Sequence, residues 1–63
     1  MMKEYKETYK NFDIYWVEDE PQLGCLDGCF ELISKNSTYY VYSKKIEEAK
    51  KIIDTLEARG VRQ

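Results

Sequence analysis

The chain has 63 residues, of which 43% are hydrophobic and 35% charged, and its formal net charge is -2 at pH 7. This composition excludes a disordered chain and predicts one small domain over residues 1–63. The sequence contains no apolar run of about 18 residues, the length that a membrane-spanning helix needs. It also lacks an apolar segment of the secretory type at its N-terminus, so we expect a cytoplasmic protein that does not contact a membrane.

Charge is distributed unevenly along the chain. Residues 11–34 carry six acidic side chains and no Lys or Arg, whereas seven of the ten basic residues lie from Lys35 onward. A one-sided acidic patch steers encounter with a basic partner and selects among partners. An acidic loop that only keeps the domain soluble is the alternative, and the sequence leaves both interpretations open.

The first predicted strand covers about residues 8–18. The apolar residues of this strand occupy every second position and are Phe12, Ile14 and Trp16. Asn11 interrupts the pattern, so we expect a bulge or bend at that position. The acidic run Glu18-Asp19-Glu20 follows, ends at Pro21 and leads into a loop that contains glycine.

Two further strands are predicted to form a hairpin. Residues 29–34 and 38–43 are rich in β-branched and aromatic side chains, which favour strands. Between them, Lys35-Asn36-Ser37 has the composition of a turn. Tyrosines that alternate with polar residues are expected on the sheet face that no helix covers.

The last third of the chain predicts a helix from about Lys44 to Arg59. Apolar residues recur there at spacings of three or four, with Ser43 as N-cap and Gly60 after the C-terminus. The fold prediction is therefore α+β, a three-stranded antiparallel sheet with one C-terminal helix packed on one face (β-β-β-α). The apolar stripe of the predicted helix comprises Ile46, Ala49, Ile52, Ile53 and Leu56. Of these, Ile46, Ala49, Ile53 and Leu56 are predicted to pack on Ile14, Trp16, Phe30 and Leu32.

The cysteines and glycines give little sign of a cofactor. Cys25 and Cys29 are expected to be free thiols in a cytosol, although the glycines near them would let a small loop close under oxidation. The chain has no His, and two thiolates need further ligands to hold a metal, so we expect none. The three glycines match no phosphate-binding loop, and we expect no cofactor.

No catalytic set of residues is apparent, so we expect a non-enzymatic protein-binding module. The loop after the first strand should return the acidic residues to one side of the sheet, where they would meet a basic protein surface, with Tyr15 as an aromatic anchor. The predicted partner-binding residues are Glu18, Asp19, Glu20, Asp27, Glu31 and Tyr15.

Two other functions stay open. A three-stranded sheet backed by a helix also occurs in DNA-binding domains, but those are basic, whereas the pI here is about 5.0. The lysines of the predicted helix could touch phosphates, yet interleaved acids cancel most of their charge, so nucleic acid is an unlikely partner by sequence. A homodimer is also possible, because an uncovered Tyr-rich sheet face or edge can pair with a second copy.

Two segments, Tyr9-Lys10-Asn11-Phe12-Asp13-Ile14 and residues 46–54, resemble a pattern of small phage and mobile-element proteins. In those proteins a Y-K-G-[FY]-x-I strand opens the chain and an EEAKxxID helix closes it, and here Asn11 stands at the usual glycine. Size, acidity and architecture are also similar to those of phage-encoded inhibitors of host defence, including anti-CRISPR proteins. The resemblance implies an inhibitor that binds a host nucleic-acid-binding complex in the host cytoplasm, and it assigns no site residue.

Overall fold

A computed structural model of the chain describes residues 2–18 and 27–59. It shows one antiparallel sheet, in which the strands lie side by side in chain order, and one helix packed on one face of that sheet. The α+β class is confirmed, but the sheet has four strands, whereas the sequence predicted three. The elements are β1 (Met2–Tyr9), β2 (Phe12–Glu18), β3 (Cys29–Ile33), β4 (Thr38–Val41) and α1 (Ile46–Ala58).

The additional strand arises because the predicted first strand is in fact part of a hairpin. β1 and β2 pair from Met2↔Glu18 to Tyr9↔Phe12, and only Lys10 and Asn11 connect them. Lys10 has a φ of 55°, which glycine or asparagine adopts more readily than lysine in such two-residue turns. The prediction of a bulge at Asn11 is therefore wrong, because this position belongs to the turn.

A true bulge lies in the middle of β1. The register with β2 shifts by one residue between Tyr5 and Glu7, so Lys6 is the extra residue on the edge strand. A bulge bends and twists its strand, and on an edge strand it discourages pairing with another chain.

The hairpin of β3 and β4 agrees with the sequence prediction. Ile33 pairs with Thr38, and the backbone N–H of Ser34 donates to the Ser37 carbonyl at 2.8 Å. The Ser34 hydroxyl also accepts from the Ser37 N–H at 3.2 Å. The short side chain of Ser34 thus bonds to a backbone N–H of the turn that has no partner strand, which explains why turn-forming residues lie here.

The helix begins later than predicted and with a different cap. Lys45 is the N-cap and makes no side-chain capping bond, whereas Ser43 Oγ accepts from the Lys45 N–H at 3.1 Å. Ser43 therefore stabilises the turn before the helix instead of capping it. Gly60, the predicted C-terminal residue, lies outside the described residues.

The core lies between α1 and the side chains that β2, β3 and β4 direct toward it. Ala49 and Ile53 of the helix are fully buried against the sheet. Ile52, at the edge of the apolar stripe, is 41% exposed, and the predicted packing residues are confirmed. The cluster comprises Phe12, Ile14, Phe30, Leu32, Ala49 and Ile53, with Tyr9, Trp16, Tyr39, Val41, Ile46 and Leu56 packed against it.

Candidate functional site

The sheet face opposite α1 is called the open face, since α1 is the one helix of the described residues. Side chains alternate between faces along each strand, and the neighbours of the core residues in β2 and β3 therefore point away from the helix. Val17 and Cys29 form a small buried cluster on this face, with Tyr40 packed against them. The other side chains that the sheet register places there are Lys3, Tyr5, Thr8, Asp13, Tyr15, Glu31, Ile33 and Thr38.

Four of these side chains form a row across the sheet, and we name it the tyrosine row. Tyr5 pairs with Tyr15, Tyr15 with Glu31, and Glu31 with Tyr40, so one residue comes from each strand. The rings of Tyr5 and Tyr15 meet edge to face, with their centroids 5.6 Å apart. Tyr5 is the most exposed member, at 53%. Directly opposed aromatic residues stabilise a sheet through such cross-strand contacts.

Glu31 holds the centre of the tyrosine row and is only 9% exposed. Tyr40 donates its hydroxyl to Glu31 Oε2 at 2.9 Å, and Lys3 Nζ lies 2.9 Å from Oε1. Oε1 accepts no bond of proper hydrogen-bonding geometry, so Lys3 acts as an ion-pair partner that neutralises the buried carboxylate. Lys3 Nζ also lies 4.7 Å from the centroid of the Tyr15 ring, a cation–π contact.

A short chain of hydrogen bonds fixes the exposed end of the row. The hydroxyls of Tyr5 and Thr8 are 2.8 Å apart, and Thr8 donates to Asp13 Oδ1 at 2.6 Å. Because the rotamers of Tyr5 and Asp13 are held by these bonds, less conformational entropy remains to be lost when a partner binds.

The predicted acidic surface is only partly assembled by the described residues. Tyr15 and Glu31 are cross-strand neighbours, as the prediction required. Glu31, however, is buried and paired with Lys3, so it is not a free docking carboxylate. Glu18 lies an odd number of residues from Tyr15 along β2 and therefore belongs to the helix-bearing face, which separates it from Glu31. Asp27 is exposed just before β3, and Asp19 and Glu20 lie outside the described residues.

A second polar cluster joins the β1–β2 turn to the helix on the other side of the sheet. Tyr9 donates its hydroxyl to Asp54 Oδ1 at 2.9 Å, and Lys10 Nζ lies 2.7 Å from the same atom. The bonds from Lys10 and Tyr9 hold the pKa of Asp54 below its usual 3.8. The bond to Asp54 raises the pKa of Tyr9 above 10.0 and that of Lys10 above 10.5.

The cysteine prediction needs correction. Cys29 is disulfide-bonded and fully buried, whereas the sequence led us to expect a free thiol. The chain's other cysteine, Cys25, lies outside the described residues. Since disulfides are more typical of oxidising compartments, the cytoplasmic location stays a prediction.

The site residues that the sequence did not indicate are Lys3, Tyr5, Thr8, Asp13 and Tyr40. Lys3 and Tyr5 lie in the strand that was not predicted, so nothing indicated that they would face Tyr15 and Glu31. Tyr40 was assigned to a strand, but its bond to Glu31 depends on the register of β3 and β4. Residues 3–8 show no alternation of apolar and polar side chains, so no periodic signal indicated this edge strand.

Comparison of the chain with protein families, curated proteins and solved structures gives no match. Within residues 2–18 and 27–59, no group of three or more Cys, Asp or Glu side chains is arranged to hold a metal ion. The helix described here is too short and too polar to cross a membrane.

Proposed function

We propose that this protein is a non-enzymatic protein-binding module and that the open face of its sheet, centred on the tyrosine row, is the binding surface. The observation that carries the proposal is the exposure of Tyr5 beside a side-chain network that is already ordered. Tyrosine supplies a large contact area at low entropic cost and is enriched at interfaces. Protein interfaces gain affinity when such anchors need no reordering.

The chemistry of the open face favours a basic segment of the partner. Asp13 and Glu31 outnumber Lys3 there, so the local charge is negative. The Tyr15 ring already accepts the ammonium of Lys3 within the chain, and Tyr5 offers a second ring of the same kind. An arginine of the partner would stack on Tyr5 and pair with the Asp13 carboxylate, which has one oxygen not engaged by Thr8.

The sequence prediction of a basic protein partner is thus retained, but with a different set of residues. Tyr5, Tyr15 and Asp13 take the place of the continuous acidic surface. That the partner is a host nucleic-acid-binding complex, and that the protein is a phage inhibitor, stay predictions from the sequence resemblance.

The test compares two exposed tyrosines as matched variants. Tyr5 is 53% exposed and belongs to the tyrosine row, whereas Tyr42 is 63% exposed and lies beyond the end of β4. The parent chain, Tyr5→Ala and Tyr42→Ala are immobilised, and proteins captured from a lysate of the source organism are quantified by mass spectrometry. For a partner that uses Tyr5 as a hot spot, the affinity should fall about 30-fold in Tyr5→Ala, equivalent to about 2 kcal/mol, and stay unchanged in Tyr42→Ala.

Two results would contradict the proposal. One is that no protein is enriched on the parent chain, and the other is that every captured protein binds Tyr5→Ala as well as the parent. If the captured protein is a second copy of the chain, sedimentation will show a dimer, and the same tyrosine comparison will then report on self-association.

A further inference from the structure

A cavity of about 500 Å³ lies on the helix-bearing side of the sheet, away from the open face. This volume falls in the range of small-molecule sites in proteins. Its walls combine aromatic and aliphatic side chains that also pack in the core with three lysines that do not. The lining residues are Lys6, Trp16, Phe30, Lys44, Lys45, Ile46 and Glu47.

The apolar wall is rigid and aromatic. Trp16 and Phe30 are cross-strand partners, and their rings meet edge to face with centroids 4.8 Å apart. Trp16 also packs tightly on Gly28, since a Cβ at that glycine would lie 2.1 Å from Trp16 Cζ2. The indole is therefore fixed in place while remaining partly exposed at the cavity.

The basic wall is not neutralised by the rest of the described chain. Lys44 and Lys45 are exposed and form no ion pair with any residue of 2–18 or 27–59, while other helix lysines do pair, as Lys50 does with Glu7 at 3.1 Å. Lys6, the extra residue of the β1 bulge, has only a surface pair with Glu4 at 3.3 Å, and such pairs are weak.

The charge balance of the lining favours an anion. Among the described lining residues, three lysines lie with one carboxylate, that of Glu47, and Glu4 pairs with one of these lysines, Lys6.

We propose that this cavity binds a nucleoside phosphate, with the base against Trp16 and the phosphate between Lys44 and Lys45. A planar ring matches the aromatic wall, because nucleic-acid bases of any sequence stack favourably on aromatic side chains. Lysine binds phosphate as a compact point charge, and two adjacent lysines suit a group with more than one negative charge. The site is independent of the open face, so the failure of one proposal does not affect the other.

The protein carries its own reporter for this site. Trp16 is the only tryptophan in the chain, so its fluorescence, excited at the red edge of its absorption, can be followed while AMP is added. Uridine monophosphate, adenosine and inorganic phosphate serve as further probes. We expect saturable quenching by AMP, and at least tenfold weaker binding of adenosine and of inorganic phosphate. An oligonucleotide with a 5′-phosphate presents the same base and phosphate at the end of a strand. If it binds more tightly than AMP, the ligand is the end of a nucleic acid, and if AMP binds more tightly, the ligand is a free nucleotide.

Charge variants separate the site from general attraction. Lys44→Gln/Lys45→Gln should weaken AMP binding at least tenfold. Lys35→Gln/Lys51→Gln removes the same charge from exposed positions outside the cavity and should leave AMP binding within about twofold of the parent. The proposal is overturned if AMP causes no saturable change in the fluorescence of the folded parent at millimolar concentration. It is also overturned if both double variants lose the same affinity, or if inorganic phosphate binds as tightly as AMP.

Discussion

The two faces of the sheet are ordered by different physical interactions. On the helix-bearing face, fully buried apolar side chains such as Ile14, Leu32 and Ile53 pack against one another. On the open face, the row from Tyr5 to Tyr40 is held by ring contacts, hydrogen bonds and the Lys3–Glu31 ion pair, and Tyr5 stays half exposed.

This difference separates stability from recognition. Apolar packing is nondirectional and stabilises the domain by removing surface from water. The contacts of the tyrosine row are directional and, at Tyr5, partly solvated, so each contributes little to folding but fixes where a side chain points. The helix-bearing face should therefore dominate the free energy of unfolding, and the open face should tolerate changes that affect binding.

The largest effect on stability is expected from one of two consecutive isoleucines of α1. Ile53 is fully buried and Ile52 is 41% exposed. Ile53→Ala should lower the free energy of unfolding by about 2–5 kcal/mol, and Ile52→Ala by about 0.5 kcal/mol or less. Chemical denaturation followed by circular dichroism measures both, and equal effects would mean that the helix is packed by another face.

The close contact between Gly28 and Trp16 provides the next largest effect. Gly28 has a φ of +104°, and an added Cβ would collide with the indole. Gly28→Ala should cost about 2–4 kcal/mol from overpacking and backbone strain together. In a Trp16→Leu background the collision is relieved, so the cost of Gly28→Ala should fall. Purely additive free energies would contradict the contact.

Reduction of the Cys29 disulfide should have a moderate effect. The only other cysteine in the sequence is four positions away, and closing so short a ring contributes about 2 kcal/mol in the chain-entropy model. A reductant should thus lower the midpoint of unfolding in the parent. In the control Cys29→Ala, the same reductant should leave the midpoint of unfolding unchanged. If reduction does not lower the midpoint of the parent, the disulfide does not stabilise the fold.

The centre of the tyrosine row should yield a smaller, measurable coupling. Lys3→Gln leaves the buried Glu31 carboxylate without its counter-charge, whereas Lys3→Gln combined with Glu31→Gln removes both charges. A double-mutant cycle should give a coupling free energy of about 1 kcal/mol, because Lys3 remains partly exposed. A coupling of zero would mean that Tyr40 alone holds Glu31 in place.

The smallest effect is expected from pH at the exposed cluster of Tyr9, Lys10 and Asp54. The pKa of Asp54 is lowered in the fold, so its contribution is complete above the unfolded pKa of about 3.9 and disappears as the pH falls through the folded value. The pKa values of Tyr9 and Lys10 are raised, so their contributions disappear as the pH rises through the folded values, above about 10. Asp54→Asn should weaken the dependence of the free energy of unfolding on pH at both the acidic and the alkaline end. An unchanged pH dependence would show that this cluster does not contribute to it.

The helix and the β3–β4 hairpin could be predicted because their residues repeat with the period of their structure. The stripe from Ile46 to Leu56 has helical spacing, and Thr38–Val41 is β-branched and aromatic. Ile52 also belongs to the stripe but is exposed, and periodicity alone does not give the width of the buried part.

The sequence did not reveal β1, for a reason that lies in its composition. Residues 3–8 consist of two lysines, two glutamates, one tyrosine and one threonine without a strand periodicity, and none of these side chains is buried, as suits an edge strand. The turn after β1 has Lys10 at a positive φ, whereas a glycine at such a position would have indicated a hairpin turn in the sequence. Once β1 was missed, the pairing of Lys3 with Glu31 and of Tyr5 with Tyr15 could not be anticipated, so the acidic residues were assigned to docking.

Oxidative footprinting with a captured partner tests the division between the two faces most directly, because it reads individual side chains. Binding should protect Tyr5 and Tyr15 from modification and leave Tyr42 and Ile52, which are both exposed, at their unbound rates. Protection of Ile52 with Tyr5 still reactive would place the interface on the helix and contradict the account.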